Sequence, residues 1–255
     1  MSSVSISLGE VAAALALVAV AAVVSFWRRA ELETDLGIAV LRSFVQLTAV
    51  GYVIQAIFDS DSLWLVAALL AGMVAFGAFT ARGRAKAVPG ALGPIALALS
   101  LAAVATLALV LALGVFDAEP RYLVPVGGMV IGNSMTAAAV ALNRLADEVD
   151  SGRARIEAVL ALGASSRQAA RGLVTRSLRS GMIPLIDSTK TTGVVFFPGT
   201  MVGMLIAGAE PIDAVRLQLI LLWVLLGSVA LAALVSVSLA YRGFFTPAHQ
   251  LREPA

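Results

Sequence analysis

The chain has 255 residues, of which 60% are hydrophobic and only 13% charged, with a mean hydropathy of +0.94. Water-soluble domains run near roughly 45–50% apolar and about 25% charged, so a soluble globular fold of this length is excluded and the natural solvent is a bilayer. The formal net charge of +2 is no signal for nucleic acid, and none is expected as a partner; the placement of the arginines is what carries information.

Seven apolar stretches approach the roughly 20 helical residues that a hydrocarbon core of about 30 Å requires. They run over Val11–Trp27, Leu36–Phe58, Leu63–Ala81, Ala91–Phe116, Tyr122–Leu142, Ser180–Ala207 and Ile212–Tyr241. The first has no basic residue before it, and Arg28-Arg29 follows it, which is the wrong pattern for a cleavable signal peptide. The pattern predicts an all-α polytopic membrane protein, with residues 1–255 forming a single transmembrane domain of about seven helices.

The loops predict the orientation. Arg28 and Arg29 follow the first span, Arg82, Arg84 and Lys86 the third, and Arg242 and Arg252 the seventh. The segment between spans five and six carries Arg144, Arg153, Arg155, Arg167, Arg171, Arg176 and Arg179. The alternate loops are acidic: Asp59 to Asp61, Asp117 to Glu119, and Glu210 to Asp213. Because basic loops stay in the cytoplasm, the expected topology has the N-terminus outside and the C-terminus in the cytoplasm. The arginine and alanine richness points to a bacterium, and so to its inner membrane.

The one sizeable segment outside the membrane is Asn143–Arg179. It is below the size at which a core sustains itself, about 40 residues. Leu145, Val149, Ile156, Val159 and Leu160 recur at helical spacing. Gly163 supplies the left-handed residue on which helices commonly end, and Ser165 with Gln168 has the spacing of a capping box. The expectation is a cytoplasmic helix-turn-helix leading into the sixth span.

Several polar residues fall inside spans. Asp187 and Lys190 are three apart on the sixth, close enough to face one another. Ionisable groups at that depth face a cavity or a partner, or reach back to the interface. Pro198-Gly199 is expected to break the sixth span near its middle, where freed carbonyls are tolerated only against protein or water. Gln46 in span two and Asn133 in span five each need a hydrogen-bond partner. Gly128-x-x-x-Gly132 and Gly199-x-x-x-Gly203 offer close helix approach.

Metal chemistry is bounded by what is missing. There is no cysteine, and the single histidine, His249, lies close to the C-terminus. A disulfide framework, a thiolate site, a histidine-clustered zinc site and a Ser-His-Asp triad with a buried His are therefore excluded. The oxygen donors within the spans are Asp187, Ser188, Thr189, Asn133 and the carbonyls near Pro198; Met135, Met201 and Met204 offer sulfur, though methionines in so apolar a chain are mostly filler. A weak transit site fits this donor set better than a tight one. No Gly-x-x-x-x-Gly-Lys-Ser/Thr loop cradles a nucleotide phosphate.

The string Glu157-Ala158-Val159-Leu160-Ala161-Leu162-Gly163-Ala164-Ser165 resembles the EAA loop of ABC-transporter permeases. The Ile-Pro that follows such a loop stands at Ile183-Pro184, farther downstream than usual. A longer resemblance covers nearly the whole chain. Arg42-Ser43-Phe44-Val45-Gln46-Leu47, Gly132-Asn133-Ser134-Met135, and the run holding Asp187-Ser188-Thr189-Lys190-Thr191 and Pro198-Gly199 are similar to FetB-type permeases, bacterial proteins implicated in iron export, and to plant aluminium-tolerance permeases.

That resemblance implies the membrane subunit of an ABC transporter that moves iron or another metal, and it makes no enzyme of this chain. ATP-Mg would be bound and hydrolysed by a separate ATPase subunit, with no cofactor on this chain. Glu157, Ala158, Gly163 and Ser165 would couple to that ATPase. Asp187, Lys190, Pro198, Gly199, Asn133 and Gln46 are the candidates for the pathway or a hinge. A closed twofold homodimer would give so small a chain a central cavity. An ion-gradient-driven transporter or channel, and a non-transporting scaffold, are the competing classes.

Overall fold

A computed structural model describes residues 8–60 and 62–253. Among these, nine α-helices and no β-strand are found, and the chain divides into two units at Ser60.

The first unit is a helical pair, α1 (Leu8–Arg28) and α2 (Glu33–Ser60). Their connection is tight: Arg29 and Glu31 both take positive φ, 53° and 56°, and the buried Ser25 hydroxyl accepts the Leu32 N–H at 3.1 Å. Most side chains of both helices are exposed. For an apolar pair, that is the surface lipid would cover.

The second unit contains α3 (Leu63–Arg84), α4 (Leu92–Ala112), α5 (Pro120–Ser151), α6 (Arg153–Ala161), α7 (Ser166–Thr191), α8 (Gly199–Ile206) and α9 (Pro211–Ala240), then a 3₁₀ turn at Tyr241–Phe244. Helix α5 is its axis, packing against α3, α4, α7 and α9. The reason is the size of its side chains. Val130, Ala138, Ala141, Leu142 and Leu145 are all fully buried along it, and small residues let neighbouring backbones close in.

The closest approaches fall at glycines. A Cβ on Gly127 would stand 2.5 Å from a Leu70 methyl, and one on Gly181 would stand 2.8 Å from the Ala137 carbonyl and 2.7 Å from the Ala141 methyl. The anticipated pairs are not these contacts. A Cβ on Gly128 would make ordinary contact with Met73, and Gly132, Gly199 and Gly203 have nothing within 4 Å. Between α4 and α9 the Thr106 and Ser228 hydroxyls meet in a short hydrogen bond. Each hydroxyl also lies against a carbonyl of its own helix, Ala102 O and Val224 O.

Two boundaries differ from the sequence expectation, each for a physical reason. Among the described residues six helices, not seven, are long and apolar enough to cross a membrane: α1, α2, α3, α4, α5 and α9. The sixth expected span, Ser180–Ala207, is interrupted. Helix α7 ends at Thr191, Gly193 turns the chain at φ +83°, and α8 restarts with Pro198 as its N-cap. The break thus opens at Thr192, upstream of Pro198-Gly199. Helix α5, in turn, does not stop at Leu142 where its apolar run stops; it continues to Ser151. Backbone hydrogen bonds extend a helix past its apolar residues wherever one face still packs.

The glycine contacts give a direct test. We expect Gly181→Val to lower stability by roughly 1–3 kcal/mol, because the Ala137 carbonyl is backbone and cannot yield. Gly132→Ala should be neutral or slightly stabilising, since the site is open and alanine is the better helix former. Thermal unfolding of the two variants in detergent measures the difference.

Candidate functional site

The helix-turn-helix is present, and its turn is set locally. Helix α6 ends in a Schellman motif: Gly163, at φ +88°, donates to Leu160 O at 2.9 Å, and Ala164 donates to Val159 O at 3.3 Å. Helix α7 then starts in a reciprocal capping box, with Ser165 N–H donating to Gln168 Oε1 at 2.8 Å and Gln168 N–H to Ser165 Oγ at 3.4 Å. The course of the turn is therefore set by hydrogen bonds among residues 159–168 themselves. Glu157 pairs with Arg153 one turn earlier at 3.3 Å. Leu162 stands at the tip, 89% exposed.

Glu157, Ala158, Gly163 and Ser165 thus all sit on this hairpin. Glu157 and Gly163 also line a groove of about 510 Å³ with Leu160, Ala161 and Ala164; its far side is Ala248, His249, Gln250 and Leu251 of the C-terminal loop.

How far the hairpin stands from the membrane follows from length. Helix α5 spans 32 residues, about 48 Å at 1.5 Å per residue, against a hydrocarbon thickness of about 30 Å. From Leu142 to Ser151 it continues for about 14 Å. Helix α7 returns beside it antiparallel, as the contacts of Gly181 with Ala141 and of Arg176 with Glu148 show. The headgroup layer is only about 5–8 Å deep, and a tilt of about 20° shortens the projection little. The α6 hairpin therefore clears the lipid surface.

An ion cluster holds this projection together. Glu148 on α5 accepts from Arg144 Nη2 at 2.5 Å, from Arg176 Nε at 2.7 Å and pairs with Arg176 Nη2 at 2.6 Å. Its residue is buried, while both arginines are about half-exposed. Glu148 lies past Leu142, outside the spanning part of α5. The Arg176 hydrogen bond, aided by the charges of Arg176 and Arg144, outweighs the burial that opposes it and holds the Glu148 carboxyl below the usual carboxylate range. Sequence reasoning did not single out Glu148. Arg144 at i–4 was a usable signal, but Arg176 is brought in only by tertiary folding.

At membrane depth the polar residues separate into groups. Asn133, Thr136, Pro184 and Ser188 line one cavity of about 140 Å³ with Gly181 and Val229, where α5, α7 and α9 meet. Asn133 donates to Met129 O at 2.8 Å, one turn back on its own helix. Ser188, Thr189, Thr191 and Thr192 likewise give their hydroxyl protons to carbonyls of α7. Asp187 and Lys190 pair at 3.5 Å and are both largely exposed. Pro198 and Gly199 begin α8 and do not line this cavity. Gln46 belongs to the first unit, exposed on α2. Among the described residues no three of His, Asp and Glu gather at one point.

Comparison with known proteins adds a family. Residues 8–245 match the model of the uncharacterised protein family UPF0014. The chain is 39% identical to the UPF0014 membrane protein STAR2 of Oryza sativa subsp. japonica, covering 94% of this chain and 85% of that one. It is 37% identical to the protein ALUMINUM SENSITIVE 3 of Arabidopsis thaliana, covering 94% and 88%. It is 34% identical to the probable iron export permease protein FetB of Escherichia coli, covering 98% and 97%. No solved structure matches the chain.

The Glu148 cluster predicts a pH signature. With its folded pKa lowered, Glu148 contributes stability that is fully present above the unfolded carboxylate value and is lost as pH falls through the folded one. We expect Glu148→Gln to cost roughly 1–3 kcal/mol near neutral pH, and the gap from the parent to shrink on acidification. Detergent unfolding curves across that range, on both proteins, read this out.

Proposed function

We propose that this chain, which belongs to the UPF0014 family of membrane proteins, is the membrane subunit of an ABC transporter that exports iron or another metal ion with ATP hydrolysed by a separate subunit. The observation that carries this reading is the hairpin. It clears the lipid surface, its turn is pre-set by a Schellman motif and a capping box, and it presents Glu157, Ala158 and Leu162 outward. The name of the Escherichia coli relative, a probable iron export permease protein, supports the cargo class.

In this reading two copies of the chain surround a pathway and each docks one ATPase on its hairpin. With α7 and α8 together making one broken crossing beside the six continuous ones, the N-terminus lies outside and the C-terminus in the cytoplasm of a bacterial inner membrane, an orientation that the arginine-rich loops support. Closure of the ATPase pair on ATP-Mg moves the hairpins. Because Glu148 and Arg176 join α5 to α7, a displacement of α6 is carried into α7. There Pro184, which cannot donate to the carbonyl one turn back, leaves the helix pliable before Asp187, Lys190 and the break at Thr192. ATP binding thus biases a two-state membrane element. The neutral oxygens beside Asn133 and Ser188 suit a cargo that must be bound weakly and released.

The interrupted α7–α8 segment also favours a second reading, since ion-gradient transporters place their sites at discontinuous helices. Transport that survives ATP depletion and collapses with the ion gradient would select it.

Two variants test the proposal. Gly163→Val places a β-branched residue in left-handed backbone, a conformation costing about 1–2 kcal/mol; we expect normal insertion and lost ATPase co-purification, and normal nucleotide-driven flux would refute the coupling role. Asp187→Asn should impair metal flux in sealed vesicles while ATPase binding stays intact; unchanged flux would leave Asp187 an anchor of the helix and nothing more. The defining measurement is a mild-detergent pull-down from native membranes. A near-stoichiometric P-loop ATPase supports the transporter; the chain recovered alone, under conditions that preserve known complexes, counts against it.

A further inference from the structure

The chain does not trail away after α9. Past the 3₁₀ turn it folds back: Phe245 bridges Leu251, Thr246 N–H donates to Gln250 O at 2.8 Å, and Arg252 N–H donates to Phe244 O at 2.8 Å. Phe245 is buried, and Leu251 packs on the core that contains Ile156 of α6 and Leu173 of α7. Gly243 sits so close to the α3–α4 connection that a Cβ would lie 2.5 Å from the Pro89 carbonyl. Residues 245–251 are therefore a built loop, seated on the same core as the hairpin.

Two polar ties hold its outer end to the hairpin. His249 Nδ1 accepts from Ser166 N–H at 3.3 Å and lies 3.0 Å from Ser166 Oγ. Ser166 is the first residue of α7, so the imidazole satisfies one of the orphan donors of that helix end. Arg153 Nη2 donates to the Arg252 carbonyl, tying the start of α6 as well. His249 itself sits at φ +57°, a left-handed conformation costing a non-glycine residue about 1–2 kcal/mol. Such strain persists only where the surroundings enforce it, and it collects at working surfaces. Yet Pro247, Ala248, His249 and Gln250 are themselves exposed, so the loop is held firmly while its outer side is left uncovered.

We infer that the C-terminal loop Thr246–Leu251 is the second wall of the docking groove, so that one protein partner contacts α6 and this loop together. The inference rests on the docking reading above and extends it to residues that reading does not use. Length and charge argue for a soluble protein as the occupant. The hairpin stands beyond the headgroups, which removes lipid. The groove between the two walls holds about 510 Å³, room for more than one large side chain of a partner. Beside it, the exposed Arg242 and Arg252 line an adjoining pocket that shares His249, while the carboxylate within the groove, Glu157, is engaged by Arg153. A partner surface that offers an apolar side chain to the groove and carboxylates to its rim matches this pattern.

The chain has no cysteine, so single Leu162→Cys and Ala248→Cys variants can each be labelled with benzophenone maleimide in opened native membranes. Both positions are exposed, so the substitutions leave packing intact. On illumination we expect both to cross-link the same polypeptide, identified by mass spectrometry as a P-loop ATPase. Adding His249→Ala should lower the Ala248→Cys yield about fivefold, the equivalent of one hydrogen bond near 1 kcal/mol. An ATPase captured from position 162 but not from 248 would overturn the second wall and leave the docking reading standing. ATPase captured from neither position, or phospholipid adducts from both, would overturn both.

Discussion

A helix longer than the bilayer is thick governs this molecule. Helix α5 must place about 30 Å of itself in hydrocarbon, yet it runs to about 48 Å, and its surplus has to emerge on one side. That surplus is not left to fray in water. Leu145 and Val149 keep an apolar face in one core with Leu173 of α7, and Glu148 pairs with Arg144 of its own helix and with Arg176 across on α7. The result is a rigid extension of a membrane helix, which a short surface loop could not provide. A force applied at Leu162 therefore meets a packed lever whose other end is inside the bilayer.

The same need to satisfy polar atoms without water shapes the far end of α7. Its hydroxyls at Ser188, Thr189, Thr191 and Thr192 donate to carbonyls of their own helix. Such back-bonding lets polar residues sit at depth at small cost and tends to bend the helix that carries them. Pro184 has already removed one ladder bond, and after Thr191 the helix gives way altogether. Rigidity is concentrated where α7 faces α5 outside the membrane, and compliance where it faces the cavity of Asn133 and Ser188.

What could be read from the sequence follows the range of the interactions. Of the seven spans that the long apolar runs announced, six are continuous helices long enough to cross, because a run of that length has one stable state in lipid. Gly163 and the Ser165–Gln168 box were legible because each is decided within a few residues. Glu148 was hidden among arginines, since its decisive partner lies 28 positions away. Glycines misled for a related reason: Gly128 and Gly132 have the spacing of a packing motif, but the rotation of α5 among its neighbours brings Gly127 and Gly181 to the contacts instead. The interruption of the sixth span was legible as an event and not as a position, because proline marks where a helix restarts as readily as where it ends.

The C-terminal loop extends this argument from folding to recognition. A docking hairpin held only by α5 and α7 would be fixed along their axes and free to rock about them. His249 on the start of α7 and Arg153 on the loop carbonyl add a restraint from a third direction, and Gly243 against Pro89 carries it to the α3–α4 connection. In the docking mode proposed above, a partner gripping both walls of the groove would act on α6, α7 and the end of α9 at once. The helices such a partner would reach, α7 and α9, stand on two sides of the Asn133 cavity.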